Sequence, residues 1–222
     1  EHLSPLMRYI PNPIIEACLK MKKPFKVSHI TGIKSPYAEA EGWFIGCPLT
    51  AKQMVELPEE FVMDRIIESG KVAQELGAKI VGLGAFTSIV GDAGITVAKN
   101  LDIAVTSGNS YTVATAIQGT KQAARMMGKD LKECRAVVVG ATGSIGAASV
   151  RLLAKEVKHI TLVARHMGPL EELAQELIEQ NHCEVAVSQD IRTSLQEADI
   201  VITVTSALDF LIEPGDLKPG AV

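Results

Sequence analysis

The stretch Val137-Val-Val-Gly-Ala-Thr-Gly-Ser-Ile-Gly-Ala-Ala-Ser-Val150 decides the reading of this chain. Three glycines, Gly140, Gly143 and Gly146, stand three apart directly after a run of valines. The valines predict a buried strand over 136–139. Ile145, Ala148, Ser149, Leu152 and Leu153 fall on one side of a helix predicted over 144–157. A glycine loop between a strand and a helix presents bare N–H groups at the positive end of the helix, an arrangement suited to a pyrophosphate. Gly140 makes the tight turn, Gly143 lets phosphates approach the backbone, and Gly146 lets the helix close on the strand. Ala141 and Ile145 complete the loop, and Thr142 and Ser144 add hydroxyl donors. The spacing is GxxGxxG, a variant of GxGxxG, and the same loop also serves as a plain strand–turn–helix with glycines for packing.

The unit around the loop gives it context. Strands predicted over 160–163, 184–187 and 200–204 alternate with a helix carrying Leu170, Leu173, Ala174, Leu177 and Ile178, and with a short helix over 193–198. Such alternation means a parallel sheet with right-handed crossovers. Arg165 ends the second strand, twenty-five residues after Gly140, where the adenosine ribose of a dinucleotide lies. An acid there suits the 2′-hydroxyl of NAD; an arginine suits the 2′-phosphate of NADP(H), the cofactor expected here. The other reading of Arg165 is a solvated surface charge. Thr205 and Ser206 end the fourth strand, on the side where ligands of doubly wound sheets bind, and are candidates for the nicotinamide side. A strand end capped by hydroxyls before a turn accounts for them equally.

The preceding segment is α/β in pattern. Strands are expected over 26–33 and 42–49, the second ended by Pro48, with a helix over 58–76. Its stripe is Val62, Ile66, Ser69, Ala73 and Leu76. A buried strand over 79–86 runs into Thr87 and Ser88, and a strand over 102–105 into Ser107 and Asn109. A helix over 110–127 follows, with Val113, Ala116, Ile117, Thr120, Ala124 and Met127 on its buried face and Gly128 as its stop. The expected fold is an N-terminal α/β domain over 1–130 followed by a partial doubly wound parallel-sheet (Rossmann) domain over 131–222. If two domains face each other across a cleft, Thr87, Ser88, Ser107 and Asn109 line it as a substrate pocket. Asn109 is the leading polar contact to substrate or cofactor, and it also reads as a helix cap. Asp92 and Asp102 do not form an acid–base pair on sequence grounds.

Bulk properties narrow the classes. The chain has 222 residues, 47% of them apolar, and a net charge of −4. No window reaches the roughly 18 continuous apolar residues of a membrane helix. Without a basic run, nucleic acid is not an expected partner. Cys18, Cys47, Cys134 and Cys183 are scattered, with no CxxC pair, so no metal site or disulfide framework is expected. The default location is a reducing cytoplasm. The chain starts without Met and closes on Lys218-Pro-Gly-Ala-Val222, where a strand is starting. It reads as a piece of a longer protein.

Taken with Val81-Gly-Leu-Gly-Ala-Phe-Thr-Ser-Ile-Val90 and Thr106-Ser-Gly-Asn-Ser-Tyr-Thr112, the glycine loop resembles the cyanobacterial long-chain acyl-[acyl-carrier-protein] reductases and their bacterial relatives, often labelled predicted amino acid or shikimate dehydrogenases. The resemblance runs from about residue 28 onward. It implies an N-terminal substrate domain, a Rossmann domain, and NADPH-dependent reduction of a fatty acyl thioester, on acyl carrier protein or coenzyme A, to an aldehyde. In those reductases the acyl group passes to a cysteine beyond the Rossmann strands, and none of the four cysteines here sits in the matching motif. This piece alone is therefore expected to bind cofactor without turnover, and its catalytic residues are unassigned. A shikimate-dehydrogenase-like enzyme on a small hydroxy or amino acid is the second reading. That family uses a Lys/Asp pair in its first domain, and Lys99 with Asp102 is no clear counterpart. A non-catalytic NADP-binding protein is the third. A homo-oligomer is compatible with all three.

Overall fold

The computed structural model describes residues 10–180, 183–205, 207 and 211–222. Contacts divide the chain into two units, Glu1–Gly108 and Asn109–Val222.

The first unit opens with helix α1 (Asn12–Met21) and a hairpin of strands β1 (Phe25–Lys34) and β2 (Glu39–Gly46). Their antiparallel register sets His29 opposite Trp43. Helix α2 (Ala51–Glu56), absent from the sequence reading, is started by a reciprocal capping box: Thr50 accepts from the Gln53 backbone N–H, and the Gln53 side chain accepts from the Thr50 N–H. Helix α3 (Glu59–Glu75) buries Val62, Met63, Ile66, Gly70 and Ala73, while Ser69 and Leu76 of the predicted stripe are only partly buried. Val62, Met63 and Ile66 form the core of this unit with Leu49, Met54, Leu83 and Val97.

Strand β3 corrects an expectation. It spans only Ile80–Gly82, and Ile80 is 59% exposed, so it is neither long nor buried. Ala85, at φ +49°, turns the chain into a single 3₁₀ turn over Ala85–Ser88. After the short helix α4 (Ile95–Lys99), β3 pairs in parallel with β4 (Ala104–Thr106).

The second unit begins with helix α5 (Asn109–Met126). The sequence reading assigned this helix to the first domain. It packs instead with the second, because Val113 and Ile117 share a core with Ala136, Val138, Val150 and Leu153. Met127, expected on its buried face, is 55% exposed. Strand β5 (Arg135–Val139), helix α6 (Ser144–Leu153), β6 (His159–Val163), α7 (Met167–Gln180), β7 (Glu184–Ser188), α8 (Ile191–Leu195) and β8 (Ile200–Thr203) follow. Leu152 and Ile178, placed on buried faces by periodicity, are exposed, while Val150 and Leu177 are buried in their helices.

The sheet is parallel, in the order β7-β6-β5-β8. The chain winds outward from β5 to β7, then returns to add β8 on the other side of β5. That reversal is the topological switch point of a Rossmann sheet. Both faces of β5 are covered. Ala136 and Val138 join the core with α5 and α6; Val137 and Val139 pack with Leu195 and Ala198. This double coverage explains the uninterrupted valine run.

Asp199 clamps the lower edge of this sheet. Its carboxylate accepts from Lys218 at 2.7 Å, the Arg135 backbone N–H at 3.0 Å and Lys129 at 3.2 Å. Partial burial pushes its pKa up, but these donors outweigh that and hold it at about 2. A carboxylate whose pKa falls on folding stabilises above its unfolded value and loses that contribution as pH drops through the folded one. Asp199→Asn is therefore expected to cost about 2 kcal/mol at pH 7. Denaturant unfolding of both proteins should show the difference shrinking between pH 4 and pH 2.

Candidate functional site

The glycine loop sits at the switch point. Gly140 has φ +83°, and a Cβ there would run into the Val204 carbonyl oxygen at the end of the neighbouring strand. The Gly140 and Ala141 N–H groups donate to the Val163 carbonyl, at 2.8 and 3.1 Å, which ties the turn to β6. A Cβ at Gly146 would run into the Gly140 carbonyl oxygen, so α6 begins pressed against the turn. Gly143 differs. Its φ is −71°, and a Cβ would meet only the Gly140 oxygen, at 3.4 Å. The fold does not require a glycine at 143.

Gly143 caps α6 without a side-chain hydrogen bond. The first intrahelical bond at this end runs from the Ala147 N–H to the Gly143 carbonyl, at 2.8 Å. By helix geometry the N–H groups of Ser144, Ile145 and Gly146 have no intrahelical acceptor. Thr142 and Ser144 are exposed beside them. Three free donors, the helix dipole and room at Gly143 fit the pyrophosphate of a dinucleotide.

Asn109 adds a second helix end. Its side-chain amide donates to the Ser144 hydroxyl at 3.1 Å. Farther along, Lys121 pairs with Glu156 at 2.6 Å. The two bonds, each twelve residues on in its own segment, make α5 and α6 run side by side in one direction. Their N-termini lie together, so their dipoles add at the loop. Sequence spacing singled out Asn109 as a polar contact or a cap. It carried no sign that the partner would be Ser144, because helix-to-helix register is a tertiary property. Asn109→Ala is expected to free the Ser144 hydroxyl and weaken nicotinamide dinucleotide binding by about threefold to tenfold, the loss of one modest hydrogen bond, read by nucleotide fluorescence.

Arg165 follows β6 and is exposed, with no ion pair among the described residues. Its carbonyl accepts from Gln189 at 2.6 Å, which fixes the backbone while the guanidinium stays available. Thr205 follows β8 beside the Gly140 turn, its hydroxyl accepting from the Ala207 N–H at 3.1 Å. Ser206 lies outside the described residues.

The first-unit candidates divide. Thr87 and Ser88 follow β3, Ser107 follows β4, and the ends of these paired strands match Gly82 with Thr106. The Thr87 hydroxyl is engaged with the Gly84 carbonyl at 2.7 Å, and that of Ser88 with the Ala85 carbonyl at 2.8 Å. Both hydroxyls thus serve the local turn. Ser107 is partly buried. The Asp92 carboxylate accepts from the Thr96 N–H and hydroxyl, so it caps α4. Asp102 exchanges hydrogen bonds with Gln74. Both carboxylates are thus engaged in local hydrogen bonds. Burial pushes the thiols of Cys47, Cys134 and Cys183 up, opposite to what a thiolate nucleophile needs. Cys134 also donates to the Asp130 carbonyl. Among the described residues no group of His, Cys, Asp and Glu side chains could hold a metal ion, and no helix is long and apolar enough to cross a membrane.

Residues 121–221 match the family model for Shikimate / quinate 5-dehydrogenase. The chain is 31% identical to the aminotransferase PigE of Serratia sp. strain ATCC 39006 over 89% of its own length and 22% of that protein. It is 29% identical to the long-chain acyl-[acyl-carrier-protein] reductase of Synechococcus elongatus, over 71% of its own length and 48% of that protein. It thus spans about a fifth and about half of these relatives. Among solved structures, L-tryptophan dehydrogenase from Nostoc punctiforme covers 76% of this chain and 44% of its own, at 16% identity and a TM-score of 0.40. The similarity to long-chain acyl-[acyl-carrier-protein] reductase read from the motifs is thus present over 71% of the chain, and the parallel sheet of the second unit is Rossmann-like, with the family match falling on 121–221.

Proposed function

We propose that this chain binds NADP(H) at the 140–146 loop and serves an oxidoreductase that reduces a fatty acyl thioester, carried on acyl carrier protein or coenzyme A, to an aldehyde. The observation that carries the reading is the N-terminus of α6 without a side-chain cap beside Gly143, with an exposed arginine after the next strand that has no ion pair among the described residues. The N–H groups of Ser144, Ile145 and Gly146 would hold the pyrophosphate, helped by the Thr142 and Ser144 hydroxyls. Arg165 would take the 2′-phosphate, and Thr205 would lie on the nicotinamide side. The bound dinucleotide supplies the hydride. The chain's part is to anchor the phosphates, orient the cofactor and select NADP over NAD.

The substrate half of the reading is supported by the relationship to the acyl-carrier-protein reductase. The match of 121–221 to the shikimate and quinate dehydrogenase family favours a second reading, a dehydrogenase of a small hydroxy or amino acid. Steady-state assays of the longer protein separate the two. NADPH oxidation that depends on an acyl thioester is expected. NADP reduction that depends on a hydroxy or amino acid, with no response to thioesters, overturns the reductase reading.

A further inference from the structure

Strand β2, helix α3 and strand β3 surround a cavity of about 830 Å³ within the first unit. It opens to solvent, with Phe44 65% and Ile80 59% exposed on its lining. It falls in the range of small-molecule pockets, about 300–1,000 Å³. Its walls are mainly apolar, with Phe44, Ile45, Met54, Ile66 and Leu83 among them. Glu41 and Lys79 are the charged residues on its lining, and both are exposed. Glu41 is engaged with His29 at 3.1 Å, so Lys79 is the available charge at the rim.

The side-chain hydroxyls of the lining are spent and its thiol is neutral. The Ser69 hydroxyl donates to the Arg65 carbonyl at 2.8 Å, and the Thr87 hydroxyl to Gly84. Burial holds Cys47 as the neutral thiol. A charged group carried deeper than the rim would find no charged side chain on the lining to pair with, and burying unpaired charge is costly. An aliphatic chain requires no partners.

We propose that this cavity takes the aliphatic chain of a fatty acyl group, leaving the head group at the rim near Lys79. Only the assignment of the chain to a thioester rests on the reductase reading; the preference for a chain stands on the lining.

Trp43 lines the cavity and is the only tryptophan of the chain, stacked on His29 at 5.3 Å between ring centroids. Its emission therefore reports on the cavity directly. The full chain is titrated with octanoate, decanoate and dodecanoate, and with shikimate as the small polar comparison. The expected result is a saturable change with the fatty acids, affinity rising about threefold to fourfold per added methylene, and none with shikimate. A Cβ at Gly82 meets nothing within 4 Å, so Gly82→Phe is expected to fill the space without strain and weaken dodecanoate at least about tenfold. Ile80→Asp, at a residue already 59% exposed, should do the same by placing a charge on the wall. Both variants should keep their thermal midpoints and NADPH affinity.

Absence of a response, an equal response to shikimate, or unchanged affinity in both variants overturns the cavity assignment. The longer protein separates the two claims. Chain binding at Trp43 without thioester reduction overturns the reductase reading alone. Thioester reduction undiminished by Gly82→Phe overturns the cavity assignment alone.

Discussion

Gly146→Val is expected to abolish NADPH binding and to lower stability by about 3 kcal/mol, a fall of roughly 6–12 °C in the thermal midpoint. The cause is backbone, not chemistry. Any Cβ at 146 collides with the Gly140 carbonyl, and the groups on both sides are main chain, tied through Gly140 and Ala141 to Val163. Helix α6 would have to withdraw from β5, and Val150 and Leu153 would leave the core with it. Gly143→Val separates fold from cofactor. At φ −71° and with one contact at 3.4 Å, the fold should accept the side chain with a midpoint within a few degrees of the parent. The isopropyl group would stand where phosphates approach, and NADPH affinity should fall about a hundredfold or more, roughly 2.7 kcal/mol. Calorimetry with a thermal melt on the same samples checks both. A Gly143→Val protein that binds normally would remove the pyrophosphate role from the loop, whatever Gly146→Val does.

Arg165→Asp is expected to reverse the nucleotide preference. A guanidinium after β6 attracts a 2′-phosphate; a carboxylate repels it and accepts from the 2′-hydroxyl of NADH instead. The residue is exposed and has no ion pair among the described residues, so the swap should leave folding unchanged within about 0.5 kcal/mol. A charge reversal beside a doubly charged phosphate should cost NADPH about a hundredfold, while NADH gains severalfold. Equal loss for both nucleotides would mean that Arg165 supports the loop rather than reads the ribose.

Much of the second unit was legible in the sequence because its signals are local. The valine run, the three glycines and the 3.6-residue spacing of Leu170, Leu173, Ala174 and Leu177 each follow from short-range rules, and strand, turn and helix stand where those rules put them. Periodicity could not say which edge of a stripe meets the sheet. Leu152 and Ile178 fell on the exposed side for that reason. The position of α5 was not legible either. Whether a helix packs forward or backward along the chain depends on its partners, here the core around Ala136 and Val138. In the first unit the apolar stretch 79–86 read as a strand, but the turn at Ala85 breaks it, and nothing in composition announces a positive φ at an alanine. The same break leaves Gly82 and Gly84 on the cavity wall.

The central claim is that the second unit holds NADPH through the α6 N-terminus and Arg165. Titration of the unaltered chain with NADPH and NADH, followed by heat or nucleotide fluorescence, tests it most directly. NADPH is expected to bind at least about tenfold tighter, roughly 1.4 kcal/mol. Tighter binding of NADH, or saturation by neither nucleotide, would contradict it.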